Sequence, residues 1–126
     1  MGVAIQPARS ACIAALLILA LLSGCAAQQT QPLYRWGEYE SLVYKMYKKP
    51  GEAEPGLQVQ KLSADIERTM AEGKRVPPGV HAQLGYMQFL QGNDGAAAEE
   101  FATERRLYPE SVTFMNTFIE RLEAGS

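Results

Sequence analysis

The chain has 126 residues, with 12 basic and 14 acidic side chains, and its formal net charge at pH 7 is −2. This length suits a single domain. The mildly acidic balance argues against nucleic acid as a partner, because proteins that bind nucleic acids need a basic surface.

The N-terminal region has the pattern of a bacterial signal peptide. Residues 1–10 contain one basic side chain, Arg9, and no acidic residue, and residues 11–22 form an unbroken apolar run. This run is shorter than the roughly 20 residues that a membrane-spanning helix needs, which favours a cleaved signal over a permanent span. We therefore predict a signal peptide over residues 1–24.

The apolar run ends in Leu22-Ser23-Gly24-Cys25, which resembles the lipobox of bacterial lipoproteins. The resemblance implies cleavage before Cys25, diacylglycerol on its sulfur and an acyl chain such as palmitate on its new amino group. Residue 26 is Ala, not the Asp that retains enteric lipoproteins in the inner membrane, so the resemblance implies the outer membrane, facing the periplasm. The alternative is an ordinary secretory signal in which the cysteine occurs by chance.

Residues 25–32 are mostly small and polar, and we predict that they form a lipidated tether. Extended, residues 26–31 reach about 20 Å at 3.3–3.6 Å per residue, so the following domain would lie close to the bilayer. With Cys12 removed and Cys25 acylated, the mature chain would have no disulfide and no free thiol.

Residues 33–126 are predicted to form an all-α domain, because apolar side chains recur at the spacing of amphipathic helices. The predicted helices cover residues 38–48, 57–72, 78–91, 95–107 and 112–122. Gly73 is expected to end the second helix, and Pro77 or Pro78 to lie in the first turn of the third. Ser111 is expected to cap the last helix.

Aromatic residues are concentrated in and just before the first helix, at Tyr34, Trp36, Tyr39, Tyr44 and Tyr47. We expect Trp36 and Tyr39 in the core, and Tyr47 on the same apolar stripe as Tyr39. Tyr44 lies off this stripe. With Lys45 and Lys48 it is the first candidate for partner binding, either by docking a protein or by stacking on a glycan.

Residues 78–109 resemble a tetratricopeptide repeat, two helices joined by a tight turn. The matching positions are Leu84, Gly85, Gly92, Ala97, Phe101 and Pro109. Gly85 and Ala97 are expected to face each other across the hairpin. One repeat cannot bury its apolar face alone, so we predict a short tetratricopeptide-like hairpin array behind the lipidated tether.

The whole domain also resembles a family of uncharacterised bacterial lipoproteins called domain of unknown function 4810. The resemblance is carried by residues 33–39, 78–85, Glu104 and 109–111. It implies membership of a cell-envelope complex with other lipoproteins, one of them similar to the pore component of curli secretion. No activity is established for the family.

The side chains provide no recognisable catalytic set. His81 is the only histidine, and there is no paired-His zinc motif, phosphate-binding glycine loop or Ser-His-acid set. Glu99, Glu100 and Glu104 are close together on one predicted helix and are expected to form a solvated face, with Glu100 and Glu104 as the second candidate for partner binding. We therefore expect no enzymatic activity, no cofactor and no metal.

Two functions remain open on the sequence. The first is a non-enzymatic adaptor in a secretion- or assembly-type complex of the envelope. The second is binding of peptidoglycan or another glycan through the aromatic N-terminal region.

The lipobox generates a direct test. Labelled palmitate should enter the wild-type protein in cells but not Cys25→Ala, because the first lipid is attached to the sulfur and cleavage follows it. The variant should accumulate as precursor or in the soluble fraction. Equal labelling of the two proteins would contradict the lipid anchor.

Overall fold

The computed structural model describes Gly2 and residues 32–125. The predicted signal peptide apart from Gly2, the predicted lipidation site Cys25 and all of the predicted tether except Pro32 therefore lie outside the described residues. The helices are Tyr39–Lys48 (α1), Pro55–Ala71 (α2), Val80–Leu90 (α3), Asp94–Leu107 (α4) and Val112–Gly125 (α5), and a 3-10 turn, Pro109–Ser111, precedes α5. Across the described residues there is no strand, only an isolated bridge between Tyr34 and Arg75. The all-α fold class is confirmed.

The residues before α1 are held on α2 by one carboxylate. Asp65 Oδ1 accepts a hydrogen bond from Arg35 at 3.1 Å, and Oδ2 accepts the backbone N–H of Glu38 at 2.7 Å. Between them Gly37 has φ +53°, and a Cβ there would lie 2.2 Å from Asp65 Oδ2. Only glycine fits this position, because it has no side chain and adopts positive φ without strain.

The end of α2 was predicted correctly. Gly73 has φ +65°. Its N–H donates to the Met70 carbonyl and the Lys74 N–H to the Thr69 carbonyl, each at 3.0 Å. This is the Schellman arrangement, in which a left-handed residue allows the last helical carbonyls to be satisfied.

Two predictions about helix starts were wrong. Pro77 and Pro78 lie outside α3, because Gly79, with φ +90°, turns the chain before the helix begins at Val80. Ser111 belongs to the 3-10 turn, and its hydroxyl donates to the Tyr108 carbonyl at 2.8 Å. That bond directs the hydroxyl back along the chain, away from the first N–H groups of α5.

The core consists of two apolar clusters that share α3. The first cluster contains Leu42, Ala53, Leu62, Val76, Val80 and Leu84, and the second contains Ala97, Phe101, Met115 and Leu122. Helix α3 supplies Val80 and Leu84 to the first, and Ala82 and Tyr86 pack against the second. Because α3 packs on both sides, it is the central helix of the domain.

Helix α1 lies at the edge of the core, and only Leu42 of this helix is buried. Tyr39 is partly buried against the first cluster, as predicted. Trp36 is 40% exposed, so its assignment to the core was wrong, and Tyr47 is 71% exposed although it was predicted to lie on the apolar stripe. A helix packed on one side buries only a narrow stripe, and Tyr47, two turns after Tyr39, lies outside it.

The predicted contact between Gly85 and Ala97 is present. A Cβ on Gly85 would lie 3.1 Å from the Ala97 carbonyl oxygen and 2.8 Å from the ring of Phe101. Ala97 and Phe101 are 0% and 1% exposed, so neither can move aside easily. The approach of α3 to α4 therefore depends on the missing side chain.

We expect Gly85→Ala to lower the free energy of unfolding by about 1–3 kcal/mol, because overpacking forces its neighbours apart. The matched control is Gly95→Ala in α4, where a Cβ would meet nothing within 4 Å. That change should stabilise the domain by about 0.5 kcal/mol, since alanine favours the helix. Thermal melting distinguishes the two, and a Gly85→Ala melting temperature at or above wild type would contradict this packing.

Candidate partner-binding groove

Helices α1, α3, α4 and α5 border an open groove of about 690 Å³. Seven of its lining side chains are aromatic: Tyr39, Tyr47, Tyr86, Phe89, Phe101, Phe114 and Phe118. Aromatic rings provide large contact areas at a low cost in conformational entropy, which suits them to binding surfaces.

The rings of the groove pack against one another. Phe118 lies 5.1 Å from Phe101 and 4.9 Å from Phe114, and Tyr86 stacks on Phe89 at 6.5 Å between ring centroids. Phe114 and Phe89 are nevertheless 62% and 44% exposed. The groove is therefore a preformed apolar surface with rings available to a partner.

Two helices supply the groove residues at a regular spacing. Ala82, Tyr86 and Phe89 lie on one face of α3 at i, i+4 and i+7, and Phe114, Phe118 and Arg121 repeat the spacing on α5. Residues at this spacing share a helix face. Tyr86, Phe89 and Phe114 were not predicted as site residues, although this spacing in the sequence is a signal that could have identified them.

Glu104 holds the start of α3. Its side chain is 2% exposed, and its two oxygens accept the backbone N–H groups of Gly79 at 2.7 Å and Ala82 at 3.3 Å. Gly79 is the N-cap of α3 and has no side chain to perform this task. The carboxylate of α4 therefore caps α3, where its charge also favours the positive end of the helix dipole.

This role corrects the prediction that Glu104 belongs to a solvated contact face. Glu100, its predicted companion, is half-buried and bonded to His81 Nδ1 at 2.6 Å. Periodicity placed both carboxylates on one helix, but it could not show that α3 covers them. Of the three glutamates, Glu99 is exposed.

Tyr39 lies beside this cap, and its Oη is 2.8 Å from the position of a Cβ on Gly79. Burial raises the pKa of Tyr39, and the negative charge of Glu104 and the neighbouring Tyr47 raise it further. The phenol therefore presents a neutral hydroxyl to the groove.

The charge that the groove offers to a binding partner is positive. Among residues 32–125, Arg121 is the only Lys or Arg that lines the groove, and in the same range Arg121 has no ion pair and no side-chain hydrogen bond. The carboxylate of Glu104 is already occupied by backbone N–H groups. A partner with an acidic group beside apolar side chains would complement this surface.

The other predicted contact residues lie elsewhere on α1. Tyr44 is 58% exposed, as expected from its position off the stripe. Lys48 is exposed and Lys45 half-buried. None of these three residues lines the groove. The structure therefore separates the predicted contact surface from the groove, which α1 borders through Tyr39 and Tyr47.

The described residues contain neither a metal-binding cluster nor a helix suited to cross a membrane. No group of three or more His, Cys, Asp or Glu side chains there has the geometry to hold a metal ion. No helix in the same part of the chain combines the length and hydrophobicity needed to cross a membrane.

We expect Glu104→Gln to lower the free energy of unfolding by about 1–3 kcal/mol, because an amide nitrogen would face a backbone N–H donor in a buried site. Glu99→Gln on the same helix is the control and should change stability by less than about 0.5 kcal/mol. Urea unfolding measures both. Equal stability of the two variants would show that the cap contributes little.

Comparison with known proteins finds one relationship. No curated protein and no solved structure matches the chain significantly. A family model described as "Domain of unknown function (DUF4810)" matches residues 33–118, from the segment held by Asp65 into α5. The match includes the groove on α1, α3 and α4 and most of its α5 side. The chain belongs to the DUF4810 family.

Proposed function

We propose that this protein is an outer-membrane lipoprotein that acts as a non-enzymatic adaptor in a secretion- or assembly-type complex of the cell envelope. The observation that supports this function best is the aromatic groove, in which Tyr47 and Phe114 are 71% and 62% exposed. Large exposed rings that share one concave surface are characteristic of interaction sites.

The groove favours a protein segment with apolar side chains as its ligand. Burying exposed aromatic rings stabilises a complex, and a few such rings usually contribute most of the binding energy. Arg121, at the end of the α5 row, would pair with an acidic side chain of the segment. An amphipathic helix with one acidic position meets both requirements.

The anchor and tether specify where such a partner would be. Lipid on Cys25 and a tether of residues 25–32 would hold the domain beside the outer membrane, facing the periplasm. Its partners would be other envelope lipoproteins, including one similar to the pore component of curli secretion. The adaptor would keep such proteins together at the membrane surface.

Glycan binding is the second candidate function. Tyr44 is 58% exposed on α1 and does not line the groove, and an aromatic face of this kind can stack on a sugar ring. Under this alternative the ligand would be peptidoglycan, and the surface would be the outer side of α1, not the α3 and α5 rows.

The groove is tested by Phe114→Ala, with Tyr44→Ala as an exposed aromatic control outside it. Phe114→Ala should reduce the yield of partner proteins co-purified from solubilised envelopes by about tenfold, since loss of an aromatic anchor commonly costs about 1–2 kcal/mol or more. Tyr44→Ala should leave the yield unchanged. Both side chains are largely exposed, so neither variant should lower the melting temperature markedly.

The opposite pattern would place the contact on the outer side of α1. Binding of the purified protein to isolated sacculi, reduced by Tyr44→Ala but not by Phe114→Ala, would favour the glycan alternative. An unchanged yield with every variant, together with no binding to sacculi, would contradict both functions.

A further inference from the structure

A second cavity, of about 380 Å³, lies where the segment after α2 meets α3 and the end of α4. It is lined by Lys74, Arg75, Arg106 and His81, and no Asp or Glu of the described part of the chain lines it. The chain as a whole is acidic, with a net charge of −2. Basic side chains are therefore concentrated around this cavity, although the protein as a whole has a negative net charge.

These cations are only partly neutralised. Lys74 Nζ pairs with Glu72 at 3.2 Å. The Arg75 guanidinium lies 5.9 Å from the ring centroid of Tyr34 and, like the exposed Arg106, has no ion pair among the described residues. Arginine binds phosphate and carboxylate groups through two parallel hydrogen bonds. The cavity therefore offers two arginines to an anion.

His81 supplies a polar atom at the wall of the cavity. His81 as a whole residue is 8% exposed, and its Nδ1 is hydrogen-bonded to Glu100 Oε2 at 2.6 Å. Nε2 has no protein partner, yet no fully buried side-chain nitrogen or oxygen in the described residues lacks one. Nε2 is therefore at least partly accessible to solvent, and His81 is one of the residues that line the cavity.

The bond to Glu100 determines how Nε2 can act. A carboxylate accepts a hydrogen bond, so Nδ1 carries a proton in this pair. Nε2 then accepts a hydrogen bond when the ring is neutral and donates one when the ring is protonated. Nε2 can therefore form a hydrogen bond both with a protonated ligand group, as acceptor, and with a deprotonated one, as donor.

The other described residues that line the cavity carry no negative charge that would repel an anion. The hydroxyl of Tyr108 donates to the Val76 carbonyl, and burial is the main cause that raises the pKa of Tyr108 to about 12. Met70 and Leu107, both lining residues, are 67% and 37% exposed. An apolar part of a ligand would cover these side chains.

We propose that this cavity binds a phosphate monoester that carries an apolar group. The arginines would bind the phosphate oxygens, and Met70 and Leu107 would contact the apolar group. A phosphate monoester has a second pKa of about 6, so its monoanion and dianion both exist near neutral pH. The monoanion can donate its proton to Nε2 of the neutral ring, and the dianion can accept the Nε2 proton of the protonated ring. This ligand could be the headgroup of a phospholipid or a soluble alkyl phosphate, and the site does not depend on the adaptor function.

The single histidine provides a specific reporter. The full chain, labelled at histidine and carrying no histidine tag, would be placed in phosphatidylcholine nanodiscs and titrated with hexyl phosphate. The imidazole NMR signals of His81 should shift in a saturable manner. Hexanol, which lacks the phosphate, should not shift them, and inorganic phosphate should require a higher concentration than hexyl phosphate.

Arg106→Gln should weaken hexyl phosphate binding about tenfold. A tenfold loss of affinity corresponds to about 1.4 kcal/mol, which is expected when one charge-assisted hydrogen bond is lost. The matched control is Arg105→Gln on the same helix. Arg105 bonds to Asn116 at 2.6 Å and does not line the cavity, so its replacement should leave the affinity unchanged. Both arginines are exposed, and melting curves would verify that both variants fold.

Nanodiscs that contain phosphatidic acid distinguish the sources of the ligand. A shift of the His81 signals in these discs without added probe would identify a lipid headgroup, and a shift with hexyl phosphate alone would identify a soluble ester. The proposal is overturned if hexyl phosphate leaves the signals unmoved, if hexanol or inorganic phosphate acts as strongly, or if the two arginine variants lose affinity equally.

Discussion

The arrangement of helices in the domain depends on the hydrogen bonds that the buried carboxylate of Glu104 accepts. This carboxylate joins α4 to the first turn of α3 through the N–H groups of Gly79 and Ala82. Helix α3 belongs to both apolar clusters, so its position determines how the two halves of the core meet. It also supplies Tyr86 to the groove and His81 to the second cavity. One hydrogen-bonded carboxylate thus orients the residues of both candidate sites.

The two cavities differ in their chemistry. The groove is lined by seven aromatic rings and a single arginine without an ion pair in the described domain, which suits an apolar segment of another protein. The second cavity combines three basic side chains and His81 with a smaller apolar wall, which suits an anion attached to an apolar group. Neither Glu104 nor Glu100 offers a free carboxylate to a ligand. Glu104 accepts hydrogen bonds from backbone N–H groups, and Glu100 binds His81.

Close approach of α3 to α4 links the fold to the groove. Gly85 lets the Ala97 carbonyl and the Phe101 ring approach the space that a Cβ on Gly85 would occupy. Phe101 in turn stacks on Phe118, whose other neighbour is Phe114 at the groove surface. The exposed ring of Phe114 is therefore supported by a chain of packed residues that begins in the core. Such support reduces the entropy lost when a partner covers the ring.

The sequence by itself determined the all-α class, the approximate helix bounds, the end of α2 at Gly73 and the contact of Gly85 with Ala97. These features depend on periodicity and on local backbone chemistry, which a sequence records directly. Only the tertiary structure decided that Glu104 is buried, that Tyr47 is exposed and that rows from α3 and α5 form one groove. Periodicity identifies the faces of a helix, but burial depends on which other helix packs against each face and at what angle.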